Sequence, residues 1–320
     1  MSITEVQSAV TAEAPPAPVE GRSPWRLAWA RLRSDRVAIV SGVVILVLCA
    51  LALAAPLIAS AIGHQPNQPF PNSGLTATGL PVGPGGKFWF GTDDLGRDIL
   101  VRTLYGARVS LFVGIVSTAI AATAGISIGM VTGYFGGAVD AVLARVMDAV
   151  LAFPYVLLAL ALAAIFGANL TEVIGVIAFF SWAGLARIVR GQTLSIKEKE
   201  YIEAARSIGA SPLRIMTVDI LPNVMAPVLV ISTLLIPVAV VFESTLSFLG
   251  AGIQLPTASW GNMISVSLQY YQSAWWYLVF PAAALLITTL AFNLLGDGVR
   301  DALDPRTERM FAARRGRRRR

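Results

Sequence analysis

Long stretches without a charged residue constrain this sequence more than any other feature. No Asp, Glu, Lys or Arg occurs in 37–86, 109–139, 149–171, 220–242 or 244–296. Only 14% of the residues are charged and the mean hydropathy is +0.67, whereas an average soluble domain holds about 25% charged residues. A water-soluble surface cannot be built from such stretches. The sequence therefore predicts a membrane protein.

Runs of about 20 apolar residues predict six membrane-spanning helices and an all-α, polytopic membrane fold. The predicted spans are 37–62, 108–132, 146–167, 173–190, 224–249 and 276–296. The first run is far longer than the roughly 7–15 apolar residues of a signal-peptide core, so we interpret it as a retained anchor. Prolines inside three spans favour kinks; they are Pro154, Pro237 and Pro281.

The distribution of basic residues predicts the orientation. With six spans, all but four of the 25 Lys and Arg residues fall on the side of both termini, which the positive-inside rule assigns to the cytoplasm. The four exceptions are Lys87, Arg97, Arg102 and Arg108. The predicted segments are a cytoplasmic tail with an interfacial helix (1–36), the first transmembrane helix (37–62), an extracytoplasmic segment (63–107), a five-helix core (108–296) and a basic cytoplasmic tail (297–320).

Polar and small residues within the spans carry the most information, because an ionised side chain at the bilayer centre costs about 2.5–3.5 kcal/mol. Asp140 and Asp148 flank Arg145, which predicts local ion pairing, and solvent can reach Asp297. Glu243 lies deep in the fifth span and needs a polar partner or a wet cavity, which makes it a candidate for the translocation path or its gate. Glycines at every fourth position favour close contact between helices; they are Gly125, Gly129 and Gly133.

The polar segment 191–223 between the fourth and fifth spans is predicted to form two short helices. Apolar residues recur with helical spacing from Tyr201 to Ile208 and again from Leu213 to Ile220. Gly209 suits the left-handed residue that ends the first helix, and Ser211 followed by Pro212 suits the start of the second. An apolar face with such caps predicts a rigid, bent element that docks another protein.

This segment resembles the EAA loop of ABC-importer permeases, which couples the permease to a cytoplasmic ATPase. The matching coupling residues are Glu203, Ala204, Ala205, Gly209, Ala210, Ser211, Pro212, Leu221, Pro222 and Asn223. Further matches resemble the C-type subunit of dipeptide, oligopeptide and nickel importers, and cover about residues 25–307. They are the segments 91–98, 145–154, 243–250, 259–262, 296–298 and 303–306.

The resemblance implies a type I ABC importer permease that moves peptides and forms half of a translocation pathway. It implies a heterodimer with a second related permease, two cytoplasmic ATPase subunits and an external solute-binding protein that docks on 63–107 and 251–275. ATP and Mg would be bound by the ATPases and not by this chain, since none of its three lysines lies in a G-x-x-x-x-G-K-[ST] loop. Within the family the cargo is a dipeptide, oligopeptide, glutathione, nickel chelate or haem, and no residue here decides between them.

Two other classes of protein remain as alternatives. An intramembrane aspartyl protease would use Asp148 and Asp297, but the expected G-x-G-D motif lacks its first glycine. An ion-coupled carrier would work alone and would show inverted repeats, which we do not find. A single cysteine and a single histidine exclude a cysteine- or histidine-built metal site. The arginine-rich end, 314–320, favours anionic membrane lipid over nucleic acid, since no aromatic platform accompanies it.

Overall fold

The computed structural model of the chain describes residues 24–303, and within this range the regular structure is helical. The elements are α1 (Pro24–Leu32), α2 (Arg36–Ile62), α3 (Ile99–Phe135), α4 (Gly137–Ala152), α5 (Tyr155–Phe166), α6 (Leu170–Lys197), α7 (Glu200–Ser207), α8 (Pro212–Phe248), α9 (Trp260–Ser267) and α10 (Trp275–Leu303). The all-α prediction is confirmed. The predictions for residues 1–20 and for the arginine-rich end lie outside the described residues.

Five helices are long and apolar enough to cross a membrane: α2, α3, α6, α8 and α10. The sixth candidate span is the pair α4 and α5, whose axes differ by 84°. The predicted span 146–167 is therefore formed by two helices, and the kink predicted at Pro154 is a complete break. Phe153 is extended, with ψ of 136°, because a following proline disfavours helical geometry and Pro154 cannot donate a backbone hydrogen bond. Pro237 and Pro281, by contrast, lie inside continuous helices.

Local capping sets where several helices begin and end. Asp35 accepts hydrogen bonds from the first backbone N–H groups of α2, and Asp98 does the same for α3. Gly63, with φ of 79°, ends α2 in the left-handed region that favours glycine. Asn169 and Glu172 form a reciprocal capping box at the start of α6. Helix α3 starts well before the predicted span because Asp98 and not hydropathy determines its first turn.

The predicted glycine stripe is confirmed as the contact between α3 and α6. A Cβ atom on Gly129 would lie 2.5 Å from the Ala186 carbonyl oxygen, and one on Gly133 would lie 2.7 Å from Thr193 Cβ. Only glycine lets the two backbones approach this closely. Helix α3 also packs against α2 and α8, so it occupies the centre of the bundle.

The segment between α2 and α3 is folded without helix. Its two ends meet, because His64 Nδ1 lies 2.6 Å from Asp98 Oδ2. Thr92 Oγ1 donates to the carbonyl of Gly74 at 2.5 Å, and Trp276 Nε1 of α10 donates to the carbonyl of Thr92 at 3.2 Å. The segment is thus fixed to the ends of three helices.

The predicted short helix before the first span is confirmed as α1. Arg31 Nη1 of α1 donates to the carbonyl of Ala302 in α10 at 3.4 Å, and the Arg33 guanidinium lies 5.0 Å from the Trp29 ring centroid. Trp29 is exposed. The position of α1 at a membrane surface stays a prediction.

Candidate functional site

Helix α7 and the first turns of α8 form a bent tip that connects α6 to α8. Gly209 has φ of 80°, which places it in the left-handed region between the two helices. Ser211 Oγ accepts from the backbone N–H of Arg214 at 3.4 Å, and Pro212 takes the first helical position. The predicted caps are therefore present. The prediction of a second separate short helix is wrong, since that helix continues without a break into the fifth span.

The continuity of α8 depends on a wider turn at Ile215–Ile220, which is π-helical. A proline inside a helix clashes with the carbonyl of the preceding turn, and Pro222 lies two residues after Ile220. A π-helical turn leaves room for the proline ring, and such turns occur frequently at functional sites. Asn223 Nδ2 donates to the Asp219 carbonyl at 2.6 Å and adds a bond across the same region.

The tip is attached to the bundle by apolar residues that the sequence pattern did not single out. Ile202 and Ile215 are fully buried, in one cluster with Leu185 and Val189 of α6 and Met130 of α3. This cluster holds α7 firmly against the spanning helices. Sequence reasoning missed Ile202 because its neighbours Tyr201 and Ala204 fitted the helical spacing of a different face.

Four large apolar residues of the tip are exposed, and Val218, at 54%, lies furthest along α8. Ile208 is 85% exposed, Leu213 is 68% exposed and Tyr201 is 44% exposed. They lie on the two sides of Gly209, next to the exposed side chains of Glu203 and Ala204. An apolar patch flanked by polar residues is typical of a protein interaction site, and we call these three residues the tip patch.

Glu243 is fully buried, and its carboxylate contacts serines of the same chain. Ser110 Oγ of α3 donates to Oε2 at 2.7 Å, and Ser247 Oγ donates to Oε1 at 2.7 Å. Ser244 lies 3.4 Å from Oε2, and Ser259 is a further hydrogen-bond partner. The polar partner that the sequence required is therefore supplied within this chain.

Asp140 and Asp148 make their shortest contacts with arginines of α6, while the predicted local ion pair is present for Asp148 with Arg145 and is not seen for Asp140. Arg190 Nε donates to Asp140 Oδ1 at 2.5 Å, and Arg187 Nη2 donates to Asp148 Oδ1 at 2.5 Å. The predicted local pair with Arg145 is longer, at 3.7 Å. Spacing along one helix could not reveal these partners, because they come from the next span. The two pairs attach α4 to α6.

The segment preceding α3 contains a buried charge network that the sequence indicated only through the family resemblance of 91–98. Arg97 Nε donates to Asp93 Oδ2 at 2.6 Å, and Arg102 Nε lies 3.4 Å from the same oxygen. Burial raises the pKa of Asp93 above its ordinary value, whereas the charges of Arg97 and Arg102 lower it. The two arginines thus favour the charged form of a carboxylate that has been removed from water.

Asp148 and Asp297 are the residues that an intramembrane aspartyl protease would use. Asp297 is exposed on α10, as predicted, while Asp148 is engaged by Arg187. Among residues 24–303 no group of His, Cys, Asp and Glu side chains is arranged to hold a metal ion. The geometry instead presents a helical bundle with a bent, partly apolar tip.

Two family models match the chain. One is described as the binding-protein-dependent transport system inner membrane component and matches residues 125–309. The other is described as the N-terminal TM domain of oligopeptide transport permease C and matches residues 23–74.

Several relatives are similar over most of their length. The dipeptide transport system permease protein DppC of Bacillus subtilis is 42% identical over 88% of this chain and 86% of that protein. The oligopeptide transport system permease protein OppC of the same organism is 38% identical over 88% of this chain and 90% of that protein. The glutathione transport system permease protein GsiD of Escherichia coli is 39% identical over 94% of this chain and 96% of that protein.

An inward-facing structure of the MetNI methionine ABC transporter shares the fold, with a TM-score of 0.52 and 17% identity, covering 63% of this chain and 96% of that chain. The family models and the relatives together define a permease subunit of an ABC importer, a multi-pass membrane protein that is not itself an enzyme. The chain belongs to the family of binding-protein-dependent transport system inner membrane components, in the branch of the dipeptide and oligopeptide permeases.

Proposed function

We propose that this permease imports peptides of the dipeptide and oligopeptide class, and that its tip couples it to a separate ATPase. The observation that carries the coupling proposal is the tip patch, because Ile208 and Leu213 are exposed on an element that buried Ile202 and Ile215 attach to the bundle. An apolar side chain that stays exposed on a rigid support is suited to a pocket in another protein.

The motif residues support the same role for the tip. Gly209, Ala210 and Ser211 form its bend, and Pro212 starts α8. Leu221, Pro222 and Asn223 follow the π-helical turn at its base, and Glu203, Ala204 and Ala205 form its first helix. A force applied at the tip patch is thereby passed into α6 and α8. Switching a two-state pathway from 1:99 to 99:1 takes about 5.5 kcal/mol, which ATP-driven motion of the partner would deliver here.

The partner set follows from the family and from the charge distribution. We infer a second related permease chain that completes the pathway as a heterodimer, two cytoplasmic ATPase subunits that bind ATP and Mg, and an external solute-binding protein. That protein would dock on 63–107 and 251–275, at the opposite end of the bundle from the tip. The chain itself carries no cofactor in this proposal.

Both termini would lie in the cytoplasm of a bacterial cell, with the protein in the inner membrane. The basic residues Arg187, Arg190 and Arg206 lie toward the tip, whereas Lys87 and Arg97 belong to the opposite end, as the positive-inside rule requires. This orientation also directs the tip toward the compartment that contains ATP.

A role of Glu243 in the translocation path or its gate stays a prediction. In the conformation described here its carboxylate faces Ser110 and Ser247. A path role would therefore require α3 and α8 to separate during the transport cycle.

The proposal is tested by uptake of a radiolabelled dipeptide into proteoliposomes that hold the assembled transporter. Uptake should require ATP, and Ile208→Asp and Leu213→Asp should each lower it at least tenfold, because a buried carboxylate opposes docking. Ile208→Leu is the matched control and should retain uptake. Full uptake by both Asp variants, or uptake without the ATPases, would contradict the coupling role.

Glutathione is the second candidate cargo, since the GsiD relatives are 39% identical to this chain. It is itself a tripeptide. Competition in the same assay separates the two cargoes: excess unlabelled dipeptide should abolish dipeptide uptake, while excess glutathione should leave it unchanged. The reverse result would assign the chain to glutathione import.

A further inference from the structure

A groove of about 470 Å³ lies on the outside of the bundle between α2 and α3. Its walls are mostly apolar, and they include Cys49 and Leu53 of α2 and Phe112 and Ile115 of α3. Leu53 is 75% exposed, Phe112 is 51% exposed and Ile115 is 43% exposed. The groove is therefore open to whatever surrounds α2 and α3.

One cation lies in this apolar groove. Arg108 lines it together with Tyr105, and its guanidinium lies 5.6 Å from the Tyr105 ring centroid. Within residues 24–303 Arg108 has neither an ion-pair partner nor a hydrogen-bond acceptor, although its side chain is exposed on a membrane-spanning helix. Every other arginine on α3 or α6 lies within 4 Å of a carboxylate. Arg108 thus presents an unsatisfied positive charge.

The depth of Arg108 follows from the way α2 and α3 are joined. The contact of His64 with Asp98 brings the end of α2 level with the start of α3. Leu53 lies nine residues before the end of α2, and Arg108 lies nine residues after the start of α3. At 1.5 Å per residue, both lie about 14 Å from that end of the bundle.

This depth suits a side chain that reaches the headgroup region. Helix α2 has 27 residues, which is about 40 Å and exceeds a hydrocarbon core of about 30 Å. If α2 is centred in the bilayer, the Arg108 backbone lies within about 10 Å of the hydrocarbon boundary. Side chains on a helix tilt toward its N-terminus, and the N-terminus of α3 is at this end. The Arg108 guanidinium therefore points toward the headgroups, as long basic side chains do.

We propose that the groove binds an anionic phospholipid, with its phosphate on Arg108 and one acyl chain along Leu53, Phe112 and Ile115. A guanidinium binds a phosphate through paired hydrogen bonds. Phe112 and Ile115 follow Arg108 by four and seven residues, so they lie on the same helix face, one and two turns deeper. The site thus has a charged mouth at headgroup level and an apolar wall that extends into the hydrocarbon. The negative lipid supplies the counter-charge that residues 24–303 do not.

The experiment uses the assembled transporter in phosphatidylcholine vesicles that contain a trace of phosphatidylglycerol with a photoreactive diazirine in its acyl chain. After illumination the labelled peptides are identified by mass spectrometry. We expect the label to concentrate on 49–53 and 108–115, and added phosphatidylglycerol to compete for it while added phosphatidylcholine does not. Arg108→Gln should lower labelling of these segments about fivefold, and Arg108→Lys should retain most of it.

Arg145→Gln is the matched control, because the Arg145 side chain is 87% exposed and lies on α4, outside the groove. It should leave the labelling unchanged. Even labelling of all outward-facing helices, equal competition by both lipids, or full labelling of Arg108→Gln would overturn the proposal. Labelling of 49–53 and 108–115 in this chain reconstituted alone but not in the assembled transporter would also overturn it and would assign the groove to the partner permease. Retention of phosphatidylglycerol by native mass spectrometry of the same variants gives an independent measurement of binding.

Discussion

At the scale of single residues, the buried carboxylate of Glu243 is the clearest case of a side chain whose partners were invisible in the sequence. Its depth within the fifth span required a polar partner, and this much was predicted. Ser110 comes from a helix more than a hundred residues earlier in the chain, and Ser259 follows a loop that has no regular pattern. Sequence periodicity cannot bring such distant residues together.

Removal of the Glu243 carboxylate should destabilise the bundle. Glu243→Ala leaves the hydroxyls of Ser110 and Ser247 without their acceptor, and a buried unsatisfied polar group costs about 1–3 kcal/mol. Glu243→Gln keeps one acceptor oxygen, so its loss of unfolding free energy should be about half that of Glu243→Ala. Thermal unfolding of the detergent-purified chain measures both. Thr123→Ala, at an exposed position on α3, is the control, and an equal loss for all three variants would contradict this reasoning.

The contact between α3 and α6 predicts opposite outcomes for the same substitution at two glycines. Gly129→Ala places a Cβ atom 2.5 Å from the Ala186 carbonyl, and overpacking of this kind costs about 1–3 kcal/mol. At Gly184 a Cβ atom meets nothing within 4 Å, so Gly184→Ala should be neutral, or more stable by up to about 1 kcal/mol from helix propensity. The yield of folded protein and its melting temperature check the pair. If Gly129→Ala and Gly184→Ala lowered the melting temperature equally, close packing of α3 against α6 would not be the cause of the destabilisation.

At the scale of elements, the bend of the tip depends on one backbone conformation. Gly209 has φ of 80°, and nothing lies within 4 Å of a Cβ atom placed there. A substitution at this position therefore strains the backbone without a steric clash. The left-handed conformation costs an L-residue about 1–2 kcal/mol, while asparagine adopts it more readily.

Gly209→Val should therefore uncouple transport and leave membrane insertion intact, whereas Gly209→Asn should retain most of the uptake. In reconstituted transporter we expect Val to lower ATP-dependent uptake about tenfold and Asn less than threefold, since about 1.4 kcal/mol corresponds to a factor of ten. The amount of chain in the membrane is the control. Equal uptake by both variants would show that the conformation at 209 does not matter for coupling.

Some features of the helices could be predicted from the sequence and others could not. Hydropathy located the spans because the need to bury backbone in lipid acts on each helix alone. It did not predict the 84° bend between α4 and α5, since a proline permits both a mild kink and a full break. The helical spacing and the caps predicted two separate helices for the tip. Ser211 and Pro212 start a helix, but they do not indicate how far that helix runs.

At the scale of the whole molecule, the orientation is a prediction that chemical labelling can test. In a Cys49→Ser background, Thr78→Cys lies in the segment between α2 and α3, and Ser207→Cys lies in the tip; both positions are exposed. A membrane-impermeant maleimide should label Thr78→Cys in intact spheroplasts and should label Ser207→Cys only after permeabilisation. The opposite pattern would reverse the topology derived from the basic residues.

The tip and the buried glutamate belong to one helix. Helix α8 runs for 37 residues from Pro212, about 55 Å at 1.5 Å per residue, and Glu243 lies near its far end. One continuous helix thus connects the two positions. If the tip docks an ATPase as proposed, movement of the tip would therefore be carried along α8 to the buried Glu243 carboxylate and its serine partners.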